Sequence, residues 1–196
     1  MYCQRDYVET DYHLIQENPV AMHFYGRVKI ENASSLLDFK KGSLSQTLLH
    51  ELKYNQRKDI GIALGERFAR KVKESSFLDD IEVIVPVPLH RKKLRRRGYN
   101  QSTLFAQGLA SKSGIPVLEG NLIRVVDTET QTRKQRMDRI DNVSDAFQLK
   151  SPEAVQNKHC LLVDDVITTG ATIESCAAVL LKEAGVRVSV AAIALG

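Results

Sequence analysis

The chain has 196 residues, 43% of them hydrophobic and 27% charged, with a formal net charge of +4, which is the profile of a folded globular chain with one substantial core. No apolar stretch approaches the roughly 20 residues of a membrane helix, and the N-terminal MYCQRDYVETDYH lacks the basic and apolar regions of a secretory leader, so a cytoplasmic protein with no membrane partner is expected. Three cysteines, Cys3, Cys160 and Cys176, are an odd number without short spacing, which excludes a disulfide framework and a self-contained zinc site.

In chain order, the segment through Asn18 shows no clear periodicity, and His13, His23 and Cys3 match no strong zinc spacing. Two β-rich runs, 24–30 and 34–39, are separated by Glu31, Asn32 and Ala33 and predict a small hairpin. Leucines at 44, 48 and 52, then Ile60, Leu64, Phe68 and Val72, predict two amphipathic helices packed on one side of a sheet. Lys53, in the charged segment between them, is read as a solvated helix end rather than a ligand contact.

Residues 81–85 predict a buried strand stopped by Pro86 and Pro88, since proline cannot donate to a ladder. Next come six basic residues in seven positions, Arg91, Lys92, Lys93, Arg95, Arg96 and Arg97, then the break at Gly98 and a helix over 101–112 with Leu104, Phe105 and Leu109 on its apolar face. A second basic concentration spans 133–139, inside the polar, glycine-free TETQTRKQRMDRIDN, which suits a lid ordered by an anionic ligand. Strands are expected near Ile115, Leu122, Leu161 and Val188, and their alternation with helices predicts an α/β fold, an open parallel sheet flanked by helices with right-handed crossovers.

The last third carries the most specific chemistry. An apolar run ending at Val163 reads as a strand buried on both faces, and it delivers Asp164 and Asp165 into a loop of Thr168, Thr169, Gly170, Ala171 and Thr172 before a helix over 173–184 and a strand over 186–195. Buried carboxylates are costly without partners, so the pair is expected at the strand's C-terminal edge, facing a cation or hydroxyls. Because side chains alternate, both reach one ligand only if the strand ends between or just after them. Glycine, threonine hydroxyls and a helix N-terminus together suit a phosphate. The basic run, which taken alone reads as a solvated surface or a nucleic-acid patch, also follows a strand end, so its arginine forks can meet an anionic group in the same crevice.

LLVDDVITTGAT resembles the phosphoribosyl-pyrophosphate (PRPP) motif of type I phosphoribosyltransferases. PVPLHRKKLRRRGYNQS, together with Thr128, Gln131, Thr132, Arg139, Asn142, Val143, Ala146 and Phe147, is similar to the narrower competence protein F (ComF)-like family of that fold. The resemblance implies that Asp164 and Asp165 hold the ribose hydroxyls as the catalytic pair, with Mg²⁺ bound through the substrate. It implies the 5′-phosphate at Thr168, Thr169, Gly170, Ala171 and Thr172, the pyrophosphate at Arg97, Arg96 and Pro88, and a flexible loop carrying Thr128, Gln131, Arg136 and Arg139. Residues 1–42 are expected to form a hairpin or hood over the site, and 43–196 the phosphoribosyltransferase-like domain. The four-cysteine zinc finger common in the family is absent, degenerate or cut away, since only Cys3 is comparable.

The function so implied is transfer of ribose 5-phosphate from PRPP to an unidentified nitrogen nucleophile, with release of pyrophosphate. Two alternatives stay open: a non-catalytic DNA-uptake adaptor binding single-stranded DNA or a helicase partner through the basic run, and a PRPP sensor without turnover. Homodimer formation is also left open.

Overall fold

The computed structural model describes residues 8–125 and 146–196. Its centre is β5 (His159–Ile167), an apolar strand hydrogen-bonded on both sides. It pairs in parallel with β6 (Arg187–Leu195) and with β2 (Val83–Pro86), and β1 (Ala33–Asp38) joins β6, also in parallel, as the outer strand. The order β1-β6-β5-β2 is extended past β2 by a parallel bridge between Ile84 and Val117. Alternation along the central strands feeds two cores. Cys160, Leu162, Val188 and Val190 point to one, and Leu161, Val163, Ala191 and Ile193 to the other. Both faces are therefore covered, as a parallel sheet requires. Burial pushes the Cys160 thiol up to about 12 and the Cys176 thiol upward as well, which fits core cysteines.

On one face lie α6 (Ala171–Leu180) and a short N-terminal helix, α1 (Pro19–Met22). On the other lie α2 (Leu44–Tyr54), α3 (Lys58–Val72) and α5 (Gln101–Ser113), as the leucine spacing predicts. The basic run forms a short helix, α4 (Arg91–Arg97), ended by Gly98 in the left-handed region at φ 78°. Among the described residues no helix is long and apolar enough to cross a membrane.

Two expectations are corrected. Residues 24–30 and 34–39 do not form a hairpin: 33–38 form the parallel edge strand, and the segment before it is α1 followed by turns. The cause is Asn18, 1% exposed, whose Oδ1 accepts from the N–H groups of Val20 and Ala21 at 2.9 and 3.0 Å. Its Nδ2 donates to the carbonyls of Tyr12, Ile15 and Ala33, so one side chain caps α1 and ties it to β1. The second correction concerns Leu122, which lies outside the parallel sheet. β3 (Leu122–Arg124) pairs antiparallel with β4 (Phe147–Leu149) in a separate two-stranded sheet.

Candidate functional site

β5 does not end beside its carboxylates: it stays paired with β6 through Ile167. Its other partner, β2, stops at Pro86, opposite Val163, because proline cannot continue the ladder. Beyond Val163 that edge of β5 pairs with no other strand among the described residues, and Asp164 and Asp165 line the same cleft from opposite faces of one strand. The sequence expectation that the strand must end there is thus replaced by the ending of its neighbour.

The cleft, about 220 Å³, is also lined by Lys53, Pro88, Arg97, Gln101, Ser102 and Thr172. Asp164 accepts a hydrogen bond from the Ser102 hydroxyl and another from the Asp165 N–H, each 2.8 Å. Asp165 pairs with Lys53 at 3.0 Å, so Lys53 faces the site and is not a solvated helix end. The Tyr99 hydroxyl donates to the carbonyl of Leu52, which holds the end of α2 in place for that contact.

The segment GYNQS, noted in the sequence for its resemblance alone, has a distinct task at each of its last four positions. Tyr99 fixes α2. Asn100 caps α5 through Oδ1 and donates from Nδ2 to the carbonyl of Val87 at 2.8 Å, setting the turn after β2. Gln101, 1% exposed, accepts from Arg97 Nη1 at 2.9 Å, while its own Nε2 and the Nε of Arg97 are buried with no hydrogen-bond partner among the described residues. Buried donors without acceptors are costly, so these N–H groups have the chemistry to accept an anion. Ser102 binds Asp164. Sequence reasoning missed Lys53, Gln101 and Ser102, although the last two sit in a stretch it had already singled out.

The loop after β5 turns at Gly170, φ 77°, where an added Cβ would lie 3.1 Å from the Phe24 ring. This contact seats the N-terminal segment against the loop. Arg27 donates to the carbonyls of His23 and Thr169, each at 3.0 Å, and pairs with Glu174, tying the same two parts together. Thr168, Thr169, Ala171 and Thr172 are exposed, and the first N–H groups of α6 open beside them. Arg96 does not line the aspartate cleft: it borders a neighbouring hollow with Tyr54 and Gln56. Thr128, Gln131, Arg136 and Arg139 lie outside the described residues.

Burial, and then the Asp165 carboxylate, push the Asp164 carboxyl up to about 7 from 3.8. Between those values the folded chain holds a proton that the unfolded chain has released, so stability falls as pH rises through this window and levels off above it. Asp164→Asn removes the ionisation. It is expected to raise the melting temperature at pH 8 by about 6 °C, roughly 2 kcal/mol, with the gain shrinking as pH falls toward 4. Scanning calorimetry at several pH values checks this, and a gain that does not change between pH 5 and pH 8 contradicts it. Among the described residues no three His, Cys, Asp or Glu side chains cluster to hold a metal. Two adjacent carboxylates, one of them disfavoured in its charged form, fit a magnesium ion whose shell is completed by substrate oxygens.

The model of the phosphoribosyl transferase domain matches residues 100–195. The DNA utilization protein YhgH of Salmonella typhimurium is 37% identical over 146 residues, covering 73% of this chain and 63% of that protein. Competence protein F of Haemophilus influenzae is 40% identical over 114 residues, 58% of this chain and 50% of that one. The chain therefore spans less than two thirds of the length of either relative. Among solved structures, adenine phosphoribosyltransferase from Leishmania tarentolae is similar at a TM-score of 0.45 and 13% identity, over 96% of this chain and 94% of that one. The domain match spans α5, the aspartate strand and the loop after it, and the relatives carry the competence names. Residues 100–195 thus match a phosphoribosyl transferase domain, and the chain is similar to proteins named for competence and for DNA utilization.

Proposed function

We propose that this protein binds PRPP with Mg²⁺ and transfers its ribose 5-phosphate to a nitrogen nucleophile, releasing pyrophosphate. One observation carries the reading: a single cleft is lined by Asp164, Asp165 and Thr172, at the start of α6, and by Arg97 and Gln101, each with a buried N–H that has no partner among the described residues. The phosphate goes to the loop at Thr168, Thr169, Gly170, Ala171 and Thr172, where the helix N-terminus favours negative charge. The ribose hydroxyls then meet the two aspartates. As the C1′–O bond breaks, positive charge grows on the sugar and negative charge on the departing pyrophosphate. The aspartates stabilise the first, and Arg97 and Gln101, beside Pro88, receive the second. Bound magnesium supplies positive charge to the pyrophosphate oxygens. Lys53 holds Asp165 in place and relieves the repulsion between the two carboxylates.

Titration calorimetry of the protein with PRPP, with and without Mg²⁺, tests this. Magnesium-dependent heat supports it, and no heat under either condition overturns it.

A second reading has its own observation. Helix α4 exposes Arg91, Lys92, Arg95 and Arg96, and the relatives' names include DNA utilization and competence proteins. On this reading the helix binds single-stranded DNA by its phosphates. Replacing Arg91, Arg95 and Arg96 together by Ala is expected to lower the slope of log affinity against log salt by about 2, since each lost phosphate contact removes about 0.7. Fluorescence anisotropy with an oligonucleotide across a salt series measures it, and an unchanged slope removes α4 as the DNA surface.

A further inference from the structure

We propose that Arg27, in the N-terminal segment, is a positioning residue for the phosphate loop: it fixes the Thr169–Gly170 peptide and neutralises Glu174, so that the loop accepts a phosphate. The inference rests on the PRPP reading above and adds a residue outside the cleft that sets the properties of its phosphate end.

The chain presents Arg27 on a built turn. Asn18 caps α1, and beyond that helix the carbonyl of Phe24 accepts from the N–H groups of Arg27 and Val28 at 3.0 and 3.2 Å. Gly26, at φ 69°, makes the reversal between them. Phe24 is buried in the core and lies against Gly170, where an added Cβ would come within 3.1 Å of its ring. From this turn the guanidinium reaches three acceptors. Nη1 donates to the carbonyls of His23 and Thr169, each at 3.0 Å, and Nη2 pairs with Glu174. The bond to His23 lies within the turn itself, so it aims the rigid fork at the loop.

The contact with Thr169 sets the direction of a peptide. In a trans peptide the carbonyl and the next N–H point to opposite sides, so with the Thr169 carbonyl held by Arg27 the Gly170 N–H is turned away from the N-terminal segment. A peptide ahead of a glycine flips at little steric cost, because glycine takes either sign of φ. The flipped form would put a carbonyl oxygen where the N–H stands, and that oxygen repels phosphate. Arg27 lines neither of the hollows that Thr168 and Thr172 border, so it draws the carbonyl away from them.

The contact with Glu174 removes a competitor. Glu174 stands in the first turn of α6, two residues beyond Thr172, which is about 3 Å along the helix axis. The positive helix end that suits a phosphate draws this carboxylate as well. Left unpaired, it would repel a phosphate dianion from well inside the Debye length, about 10 Å at 0.1 M salt. Paired with Arg27, its charge is cancelled, and the helix end is left to the ligand.

Calorimetric titrations of the full chain with ribose 5-phosphate and, separately, with magnesium pyrophosphate test the role. The Arg27 side chain is 41% exposed, so Arg27→Ala opens no cavity in the core. It is expected to weaken ribose 5-phosphate binding by about fivefold or more, from one lost charge pairing and one lost hydrogen bond. Magnesium pyrophosphate, received at Arg97 and Gln101, is expected to bind as it does to wild type. Adding Glu174→Gln to Arg27→Ala is expected to recover about twofold or more of the ribose 5-phosphate affinity, and less at high salt. A merely structural tie predicts no recovery, since that tie is already cut. Unchanged ribose 5-phosphate binding by Arg27→Ala, an equal loss for both ligands, or no recovery in the double variant overturns the proposal while the PRPP reading stands. So does a wild type that binds PRPP but not ribose 5-phosphate. If wild type binds neither, the PRPP reading falls and the role of Arg27 falls with it.

Discussion

Replacing Asp164 and Asp165 together by Asn is expected to weaken PRPP binding in the presence of Mg²⁺ about 1,000-fold. On the PRPP reading each carboxylate accepts from a ribose hydroxyl, and a hydrogen bond to a charged group is worth about 1.5–3 kcal/mol, so two of them lost correspond to about 4 kcal/mol. The substitution also removes both negative charges from the wall of the cleft, and with them the protein's attraction for a cation carried on the substrate. Asn keeps the shape of each side chain, and the Ser102 hydroxyl and the Asp165-position N–H still find an oxygen at position 164. The fold should therefore survive, and a melting temperature no lower than that of wild type at pH 8 serves as the control. Lys53 loses its ion-pair partner in this variant, so Lys53→Met in wild type separates that effect. Calorimetric affinity within threefold of wild type would show that the carboxylates do not hold the sugar.

The second large effect concerns the scaffold behind the site. Helices α3 and α5 touch backbone to backbone at Gly65 and Gly108. A Cβ on Gly65 would lie 2.2 Å from the carbonyl oxygen of Phe105 and 2.7 Å from the Leu109 nitrogen. One on Gly108 would lie 2.0 Å from the Ile62 carbonyl oxygen. Backbone atoms inside a packed helix cannot swing aside, so either alanine drives the helices apart. The edge contact between Phe68 and Phe105, centroids 5.7 Å apart, opens with them. Gly65→Ala and Gly108→Ala are each expected to destabilise the protein by about 3 kcal/mol, lowering the melting temperature by roughly 6–12 °C. Gly61→Ala should cost less, since its nearest neighbours are side-chain atoms of Leu104 and Leu52. Urea denaturation of the three variants measures the order, and losses below 1 kcal/mol at both Gly65 and Gly108 contradict the packing. Because α5 carries Gln101 and Ser102 at its N-terminus, the same variants are expected to bind PRPP more weakly, although no residue of the site is replaced.

Much of the fold could be read from local pattern. The apolar run of β5, its flanking turn and the period of α2 and α3 are properties of neighbouring residues, and hydrophobic burial acts on them wherever the chain goes. The hairpin expected at 24–39 failed because the two halves of a strand pairing need not be close in sequence. Ala33 pairs with Val190, and nothing near Ala33 announces that. The local signal that was present, Asn18 followed by Pro19, marks a helix start, and the structure shows Asn18 capping one. Gly61 and Gly65 at four-residue spacing in a helix were also visible, but a close helix crossing requires a matching gap on the partner, and Gly108 lies more than forty residues away.

The site divides in the same manner. Asp164, Asp165, the threonine-glycine loop and Arg97 stand in two contiguous stretches, where residue type, order and family resemblance mark them as candidates. Lys53 carried no such mark. Its charge looks like that of any exposed helix end, and only the packing of α2 against the sheet, held by Tyr99, brings it to Asp165. Nor did any sequence rule place both aspartates in one cleft, since alternation along β5 sends them to opposite faces. What unites them is the early stop of β2 at Pro86, which leaves the edge of β5 open and lets one cleft reach both sides. The sequence by itself marked the two acids, the threonine-glycine loop and the basic run as candidate site groups. The tertiary structure decided which of them face one another, because that depends on where each neighbouring strand ends and on which helix the long-range packing lays beside it.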